Sequence, residues 1–419
     1  MRRSLLVGLE AIDYQSKDLV TAMAKIIGEW RESKKYENGS SFAQALSAAI
    51  SEYTGISTII DIAAYPIPNA FVEFPQLDKN NPILNKMIRA TATNNDLRKL
   101  NKVLGDAIVG MLDFSKGRVY GDFCKIVVPV YITAGLMEDK DFPDSEIAAI
   151  VAHELGHIWS LYESLRDVAS CNIAAHTVSW RLMGMNTPQE RIKLIHECAE
   201  ELETSAKDLE TIVDETNREV IYTHIVATTL RNRRNVEGDE TYSYRGFEFA
   251  SDQYATRMGA GLELATALAR IERKSFMGTT YRSWPMHIML QVLSIGYHVS
   301  MPVINPVVGI LMAITLLAAR PLDKAYDDPQ QRLQRIRREM IGQLKLDMSK
   351  EQRAGLVKDL AKIEAMCDEM SPKTPWLEAV WKYIVPSGRS SEAKMAFQQT
   401  IERLASNELY VSAAKLEGM

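Results

Sequence analysis

Residues 153–157 read His-Glu-Leu-Gly-His, and this short stretch decides how the rest of the chain is interpreted. On an α-helix, residues at positions i and i+4 lie on one face, so His153 and His157 can bind a single metal ion. Glu154 lies one step further round the helix, where its carboxylate can reach a water molecule on that ion. Two imidazole ligands and a carboxylate base in this order predict a metal site for hydrolysis of a peptide bond.

The flanking sequence predicts that this stretch is helical. Pro143 lies among acidic and hydroxyl residues that favour the first turn of a helix. Gly156 has low helix propensity, which suggests that another backbone approaches closely between the two histidines. The apolar positions that recur at helical spacing are Ile147, Ile150, Val151, Leu155, Ile158 and Leu161.

A catalytic zinc site needs a third protein ligand and leaves one position open for water. The best candidate for that ligand is Glu248, and Asp252 follows it at i+4, so both carboxylates can point from one helix toward the metal helix. Asp252 would accept a hydrogen bond from a ligating imidazole and fix its tautomer. The sequence therefore predicts one Zn²⁺ per chain. The alternative for this acidic pair is a solvated helix face.

Further motifs flank the two predicted helices. Residues 130–137 read Val-Tyr-Ile-Thr-Ala-Gly-Leu-Met, residues 145–152 read Ser-Glu-Ile-Ala-Ala-Ile-Val-Ala, and Asn-Ala-Phe occupies 69–71. Together with the Glu-x-x-x-Asp pattern from Glu248 to Asp252, these motifs resemble the gluzincin peptidases of metallopeptidase family forty-eight, which includes HtpX-like heat-shock proteases and CAAX prenyl proteases. The resemblance implies a zincin-like peptidase core.

The chain departs from that family at one position. The family usually has a later His-Pro followed by Arg near the scissile carbonyl, and Asp328-Pro329 stands here instead. A carboxylate cannot stabilise a developing oxyanion unless it is protonated, so the resemblance implies Arg332 or Arg335 in that role. The alternatives that stay open are His287, His298 and Tyr326.

The bulk composition excludes some function classes. The chain has 419 residues, and 49 basic against 54 acidic side chains give a net charge of −5, so no global field favours nucleic acid. The N-terminal apolar run stops after five residues, which indicates an amphipathic helix rather than an export signal. Scattered cysteines favour a reducing compartment, so we predict a cytoplasmic protein, with membrane association as the alternative. These cysteines are Cys124, Cys171, Cys198 and Cys367.

The predicted fold class is a mostly helical α+β protein. We predict an N-terminal helical region over 1–57 and a zincin-like peptidase domain with a small β-sheet over 58–340. Residues 160–245 form a helical insertion in that domain, and 341–419 form a C-terminal helical region.

Local patterns predict the individual elements. Periodicity favours helices over 4–30, 41–54 and 81–112. Residues 58–73 and 119–133 carry strand patterns, and their prolines favour edge positions. An edge strand beside the metal helix could bind an extended peptide by main-chain pairing.

Two segments leave alternatives open. The acidic stretch between Glu197 and Glu219 fits a solvated helix face, and otherwise a lid or a docking surface for a basic partner. Residues 284–319 contain no charged side chain, but the longest clean run, 307–319, is shorter than the roughly 20 residues that a membrane span needs. A buried helical hairpin or an oligomer interface is therefore favoured over a membrane span.

These observations predict a zinc metalloendopeptidase that acts on protein or peptide substrates, with Glu154 as the general base. The alternative is a catalytically weak or inactive protein that uses a peptidase fold for structure or interaction. The departure at Asp328, the acidic insertion and the helical ends motivate this alternative, and the intact metal motif argues against it.

Overall fold

The structure is a computed structural model that describes residues 12–33, 41–74, 110–199, 202, 204–237, 244–278 and 329–369. It is mostly helical with a small mixed sheet, which confirms the α+β class at that level. The chain divides into two compact units, Met1–Ala260 and Gly261–Met419. The division lies inside the predicted peptidase domain, and the predicted domain boundaries stay predictions.

The first unit contains every described strand and the candidate metal helices. Its strands are β1 (Ser57–Ala63), β2 (Ala70–Val72), β3 (Met111–Asp113), β4 (Arg118–Tyr120) and β5 (Val127–Thr133). Its helices are α1 (Asp18–Ser33), α2 (Ser41–Thr54), α3 (Ala134–Glu138), α4 (Asp144–Met183), α5 (Pro188–Ala199), α6 (Ala206–Leu209), α7 (Arg218–Glu237) and α8 (Tyr244–Ala255). Short 3-10 turns cover Gly121–Lys125 and Glu210–Ile212.

The sheet has the strand order β1-β5-β2, with β5 parallel to β1 and antiparallel to β2. Side chains alternate between the two faces of a strand, and Val128, Val130 and Ile132 of β5 are fully buried on the face that α4 covers. Val127 and Tyr131 point to the opposite face. The charge-free sequence of β5 therefore suits its place in the middle of the sheet.

The predicted edge position of β5 is wrong, because β5 has a strand on each side. Pro129 lies opposite Glu73, the first residue beyond β2, and the Glu73 N–H donates to the Pro129 carbonyl at 3.1 Å. Both the carbonyl and the missing N–H of Pro129 therefore face the point at which β2 ends. The proline is tolerated in a central strand because it removes a donor where the pairing is already finishing.

Two other predictions need correction in the same region. The pattern over 58–73 is divided between two strands, β1 and β2, which are joined by a turn containing both prolines. The predicted helix over 81–112 falls largely outside the described residues, and it is wrong at Met111 and Leu112. These residues form β3, which pairs with β4 through a turn in which Gly117 has a φ of 59°.

The described residues between α4 and α8 are mostly helical, and their assignment as an insertion in a peptidase domain stays a prediction. The distal half of α4 packs with α5, α6 and α7 around a second hydrophobic core. The acidic side chains of Glu197, Glu210, Asp214 and Glu219 lie outside that core and are exposed, as a solvated helix face requires. The core residues include Val178, Leu182, Leu194, Ile195, Ile212, Ile221 and Ile225.

The second unit consists of α9 (Gly261–Gly278), α10 (Pro329–Gln343) and α11 (Lys350–Glu369) in its described part. None of the helices described in either unit combines the length and apolarity that a membrane crossing requires. The uncharged segment 284–319 lies outside the described residues, so its core, interface and membrane alternatives stay predictions. Three described cysteines are free thiols, namely Cys124, Cys198 and Cys367.

Candidate metal centre

The metal helix α4 is buried along the turns that carry the motif. The stretch from Ile147 to Trp159 has no exposed residue, which explains why it is apolar apart from the three residues of the motif. Arg31 of α1 anchors the loop before this helix: its guanidinium donates to the carbonyls of Met137, Asp139 and Phe142 and to the Asp144 carboxylate. Sequence reasoning missed Arg31, because these partners lie 106 to 113 positions away and no local pattern signals the contact.

Helix α8 crosses α4 at Gly156. A β-carbon on Gly156 would lie 2.6 Å from the α-carbon and 2.9 Å from the carbonyl oxygen of Ser251. Real side chains do not tolerate such distances, so the close backbone approach predicted from this glycine is confirmed. The crossing places the second predicted helix directly beside the turn that holds both histidines.

This crossing brings the Glu248 carboxylate to both imidazoles. Oε2 of Glu248 lies 3.4 Å from Nε2 of His153, and Oε1 lies 3.4 Å from Nε2 of His157. The three side chains are buried, with Glu248 only 4% exposed. The separately predicted histidines and carboxylate therefore converge on one point.

The spacing of these atoms suits a metal ion better than direct hydrogen bonds. Both nitrogen–oxygen distances, 3.4 Å, exceed the usual 2.7–3.2 Å range of a hydrogen bond. A tetrahedral ion with bonds of about 2.0–2.1 Å holds its ligand atoms about 3.3–3.4 Å apart. Two imidazole nitrogens and a carboxylate oxygen are also a suitable set of donors. His153, Glu154 and His157 likewise form a group that could hold a metal ion, with their ligand atoms within 4.8 Å of one another.

Asp252 supports the centre from behind His153. Its Oδ1 lies 2.9 Å from Nδ1 of His153, and the aspartate is 2% exposed. A proton on Nδ1 would face this carboxylate and would leave the lone pair of Nε2 directed toward Glu248 and His157. Partners at such a position fix the tautomer of a ligating histidine, and this role of Asp252 stays a prediction.

The surroundings of His157 favour the neutral imidazole, which is the form that binds metals. Burial is the largest cause that lowers the pKa of His157 below its ordinary value, and the neighbouring His153 acts in the same direction. Glu248 and Asp252 oppose this shift.

An aromatic cluster locks the two helices to the β3–β4 hairpin. The Trp159 ring packs 5.4 Å from the Tyr254 ring and 5.5 Å from the Phe114 ring, measured between centroids. The Tyr254 hydroxyl donates to the Gly117 carbonyl at 3.1 Å. These contacts couple α4, α8 and the hairpin, so the crossing of the two helices is fixed on more than one side.

The residues predicted to stabilise the oxyanion, Arg332 and Arg335, lie in α10 of the second unit, where Arg332 is buried and Arg335 is partly exposed. Their catalytic role stays a prediction. Asp328, His287, His298 and Tyr326 lie outside the described residues.

Comparisons with protein-family models, curated proteins and solved structures find no match to this chain. The resemblance to family forty-eight therefore depends on the sequence motifs alone.

We expect Gly156→Ala to reduce stability and metal affinity together. The added methyl group meets the Ser251 backbone, which cannot rotate away, and overpacking of this kind costs about 1–3 kcal/mol. Thermal unfolding and zinc titration of the variant measure the two effects. Gly355→Ala is the matched control: it lies in α11 with nothing within 4 Å of the new methyl group, so it should leave zinc binding unchanged. Equal behaviour of both variants would show that the crossing tolerates a side chain.

Proposed function

We propose that the chain is a zinc-dependent metalloendopeptidase with a zincin-like core, related to the gluzincins of family forty-eight. The observation that carries the proposal is the position of the Glu248 carboxylate, 3.4 Å from Nε2 of both His153 and His157. Glu248 lies on another helix far along the chain, so helical periodicity alone does not bring it to the histidines.

The donor set supports zinc over other common ions. Imidazole pairs with one carboxylate suit zinc, whereas calcium and magnesium prefer sites made only of oxygen atoms. In catalytic zinc sites, three protein ligands leave a fourth position for water. His153, His157 and Glu248 would supply those three ligands. When bound, the ion would lower the pKa of a water molecule and polarise the substrate carbonyl.

Glu154 would do the proton transfer. It follows His153 directly on α4 and is 7% exposed, so its carboxylate is held beside the metal ligands with little competing solvent. It would accept a proton from the attacking water and deliver it to the leaving amine. Asp252 would hold the His153 ring in the tautomer that keeps Nε2 free for the ion.

The substrate would be an extended peptide. Because β5 is a central strand, the strand that would pair with the main chain of a substrate is β2. This strand contacts α4, and within the described ranges β5 is its one strand neighbour. Pairing through main-chain groups holds a peptide with little demand on its sequence. A protein that uses the same fold without turnover is the second candidate, favoured by Asp328 in the place of the family's histidine.

Metal content and proteolysis of the full-length protein test the proposal. We expect one zinc ion per chain by elemental analysis, cleavage of unfolded casein, loss of cleavage after chelation, and recovery on adding Zn²⁺. Bound zinc without turnover would favour the second candidate. A protein that binds no divalent metal would contradict both the site and the mechanism.

A further inference from the structure

The sheet has a second face, on the side opposite α4, that the metal centre does not use. Ile59 and Val127 point outward from this face and are 57% and 47% exposed. Tyr65 and Ile67, in the turn between β1 and β2, are also exposed. Apolar side chains grouped on a rigid sheet often mark a surface for a partner.

Strand register places an aromatic pair at the centre of this outer face. Asp61, Tyr131 and Phe71 lie side by side across β1, β5 and β2. The rings of Phe71 and Tyr131 are stacked, with centroids 4.8 Å apart and planes inclined by 17°. The next row across the sheet contains Ile59 of β1 and Pro129 of β5. Glu73, the residue directly after β2, lies opposite Pro129 in the same row. The aromatic pair therefore has a carboxylate on each outer strand.

Both carboxylates act on the same phenol. The Tyr131 hydroxyl donates to Oε2 of Glu73 at 3.0 Å, and this hydrogen bond is the first cause that raises the pKa of Tyr131. Asp61 contributes in the same direction, and no described group acts on the pKa of Tyr131 in the opposite direction. The electrostatic potential around this aromatic pair is therefore negative.

The Asp61 carboxylate is partly buried and only weakly neutralised by the protein. Within the described parts of the chain, its Oδ1 is buried and accepts no hydrogen bond. A buried acceptor without a donor is rare in folded proteins and costs free energy until a donor arrives. A cation that reaches this face would be attracted to the carboxylate, because the protein itself supplies no donor to its buried oxygen.

The adjoining turn is rigid enough to take part in binding. The Gly135 N–H donates to the Tyr65 carbonyl at 2.9 Å, and the Thr133 hydroxyl contacts the Ile67 carbonyl at 2.8 Å. Because this backbone is already hydrogen-bonded, a partner that binds here would not have to order the turn.

We propose that this outer face binds an extended segment of another protein in which an arginine lies beside apolar residues. The guanidinium would stack on the rings of Phe71 and Tyr131 and donate to Asp61 and Glu73. The apolar neighbours would cover Ile59 and Val127. The acidic rim disfavours anionic lipid and phosphorylated partners, because like charges repel. The proposal does not depend on the metal centre, which lies on the other side of the sheet.

Fluorescence anisotropy of short labelled peptides tests this binding on the full-length protein. One peptide carries arginine among valine, leucine and tyrosine, and its partner carries glutamate at the arginine positions. We expect the wild type to bind the arginine peptide at least about tenfold more tightly, the difference that 1.4 kcal/mol produces. The Asp61→Asn/Glu73→Gln double variant should lose about tenfold in affinity for that peptide, because it loses the charge-assisted hydrogen bonds and keeps the stacking on Phe71 and Tyr131.

The matched control is Glu272→Gln/Asp347→Asn, which removes two exposed acids from the second unit and should bind like the wild type. Zinc content should not change in either double variant, and both should unfold cooperatively, so this test and that of the metal centre can fail separately. Weak or equal binding of both peptides by the wild type would overturn the proposal, as would full binding by the Asp61→Asn/Glu73→Gln variant. Self-association that this variant abolishes, measured by sedimentation, would assign the face to a second copy and also overturn it.

Discussion

Glu154→Gln should greatly slow peptide hydrolysis while the protein keeps its metal. Glutamine has nearly the same shape as glutamate and still forms hydrogen bonds, but it cannot accept the proton that the attacking water must lose. A placed general base contributes roughly 10²–10⁴-fold to the rate, so we expect kcat/KM to fall by that factor. Steady-state cleavage of a fluorogenic peptide gives the rate, and elemental analysis of the same preparation gives the metal content.

A second acid-to-amide change on the surface controls for the loss of charge. Glu197→Gln alters an exposed side chain of α5 whose ion-pair distances to Arg181 and Lys193 are 3.9 and 4.0 Å. Exposed pairs of this kind contribute little to stability, so this variant should cleave at the wild-type rate. Undiminished cleavage by Glu154→Gln would refute the assigned role of Glu154, whatever the metal content.

The parts of the site that depend on helical spacing could be predicted from the sequence. His153 and His157 share a face because of the helix period, and the same rule pairs Glu248 with Asp252. Gly156 signalled that a backbone would approach, since a glycine in a buried helix needs a packing reason. Its contact partner, Ser251, could not be named, because the crossing point of two helices depends on the whole packed unit.

The strand order could not be predicted by the same reasoning. Pro129 shows only that one donor is missing, and it does not show where the neighbouring strand ends. Because β2 ends one residue before the position opposite Pro129, a residue typical of edges fits the central strand. The contacts of Arg31 and the row of Asp61, Tyr131 and Phe71 were missed for a related reason. They join residues that are distant in the chain and carry no local pattern.

Glu248→Gln should remove most of the metal affinity, and a second variant shows whether the effect is that of a ligand. A carboxamide oxygen carries no charge, so one of three donors is weakened where burial leaves little water to replace it. We expect zinc affinity to fall by more than about 100-fold, beyond the roughly 10–100-fold that loss of a supporting partner produces. The zinc affinity of Asp252→Asn should fall by that smaller factor, because Asp252 contacts Nδ1 of His153. Competition with a chromophoric chelator measures both constants.

The stability of the metal-free protein separates a ligand from a packing residue. A buried carboxylate gains little stabilisation from two imidazoles when the imidazoles are neutral. Glu248→Gln should therefore leave the free energy of unfolding of the metal-free protein unchanged or slightly higher. Zinc should stabilise the wild type by about 2.7 kcal/mol when its free concentration is 100 times the Kd, and this increment should shrink in the variant. A variant with normal zinc affinity and a less stable metal-free state would show that Glu248 packs the crossing of α4 and α8 without binding metal. In that case the two histidines would need another partner, and the hydrolytic mechanism would lose its third ligand.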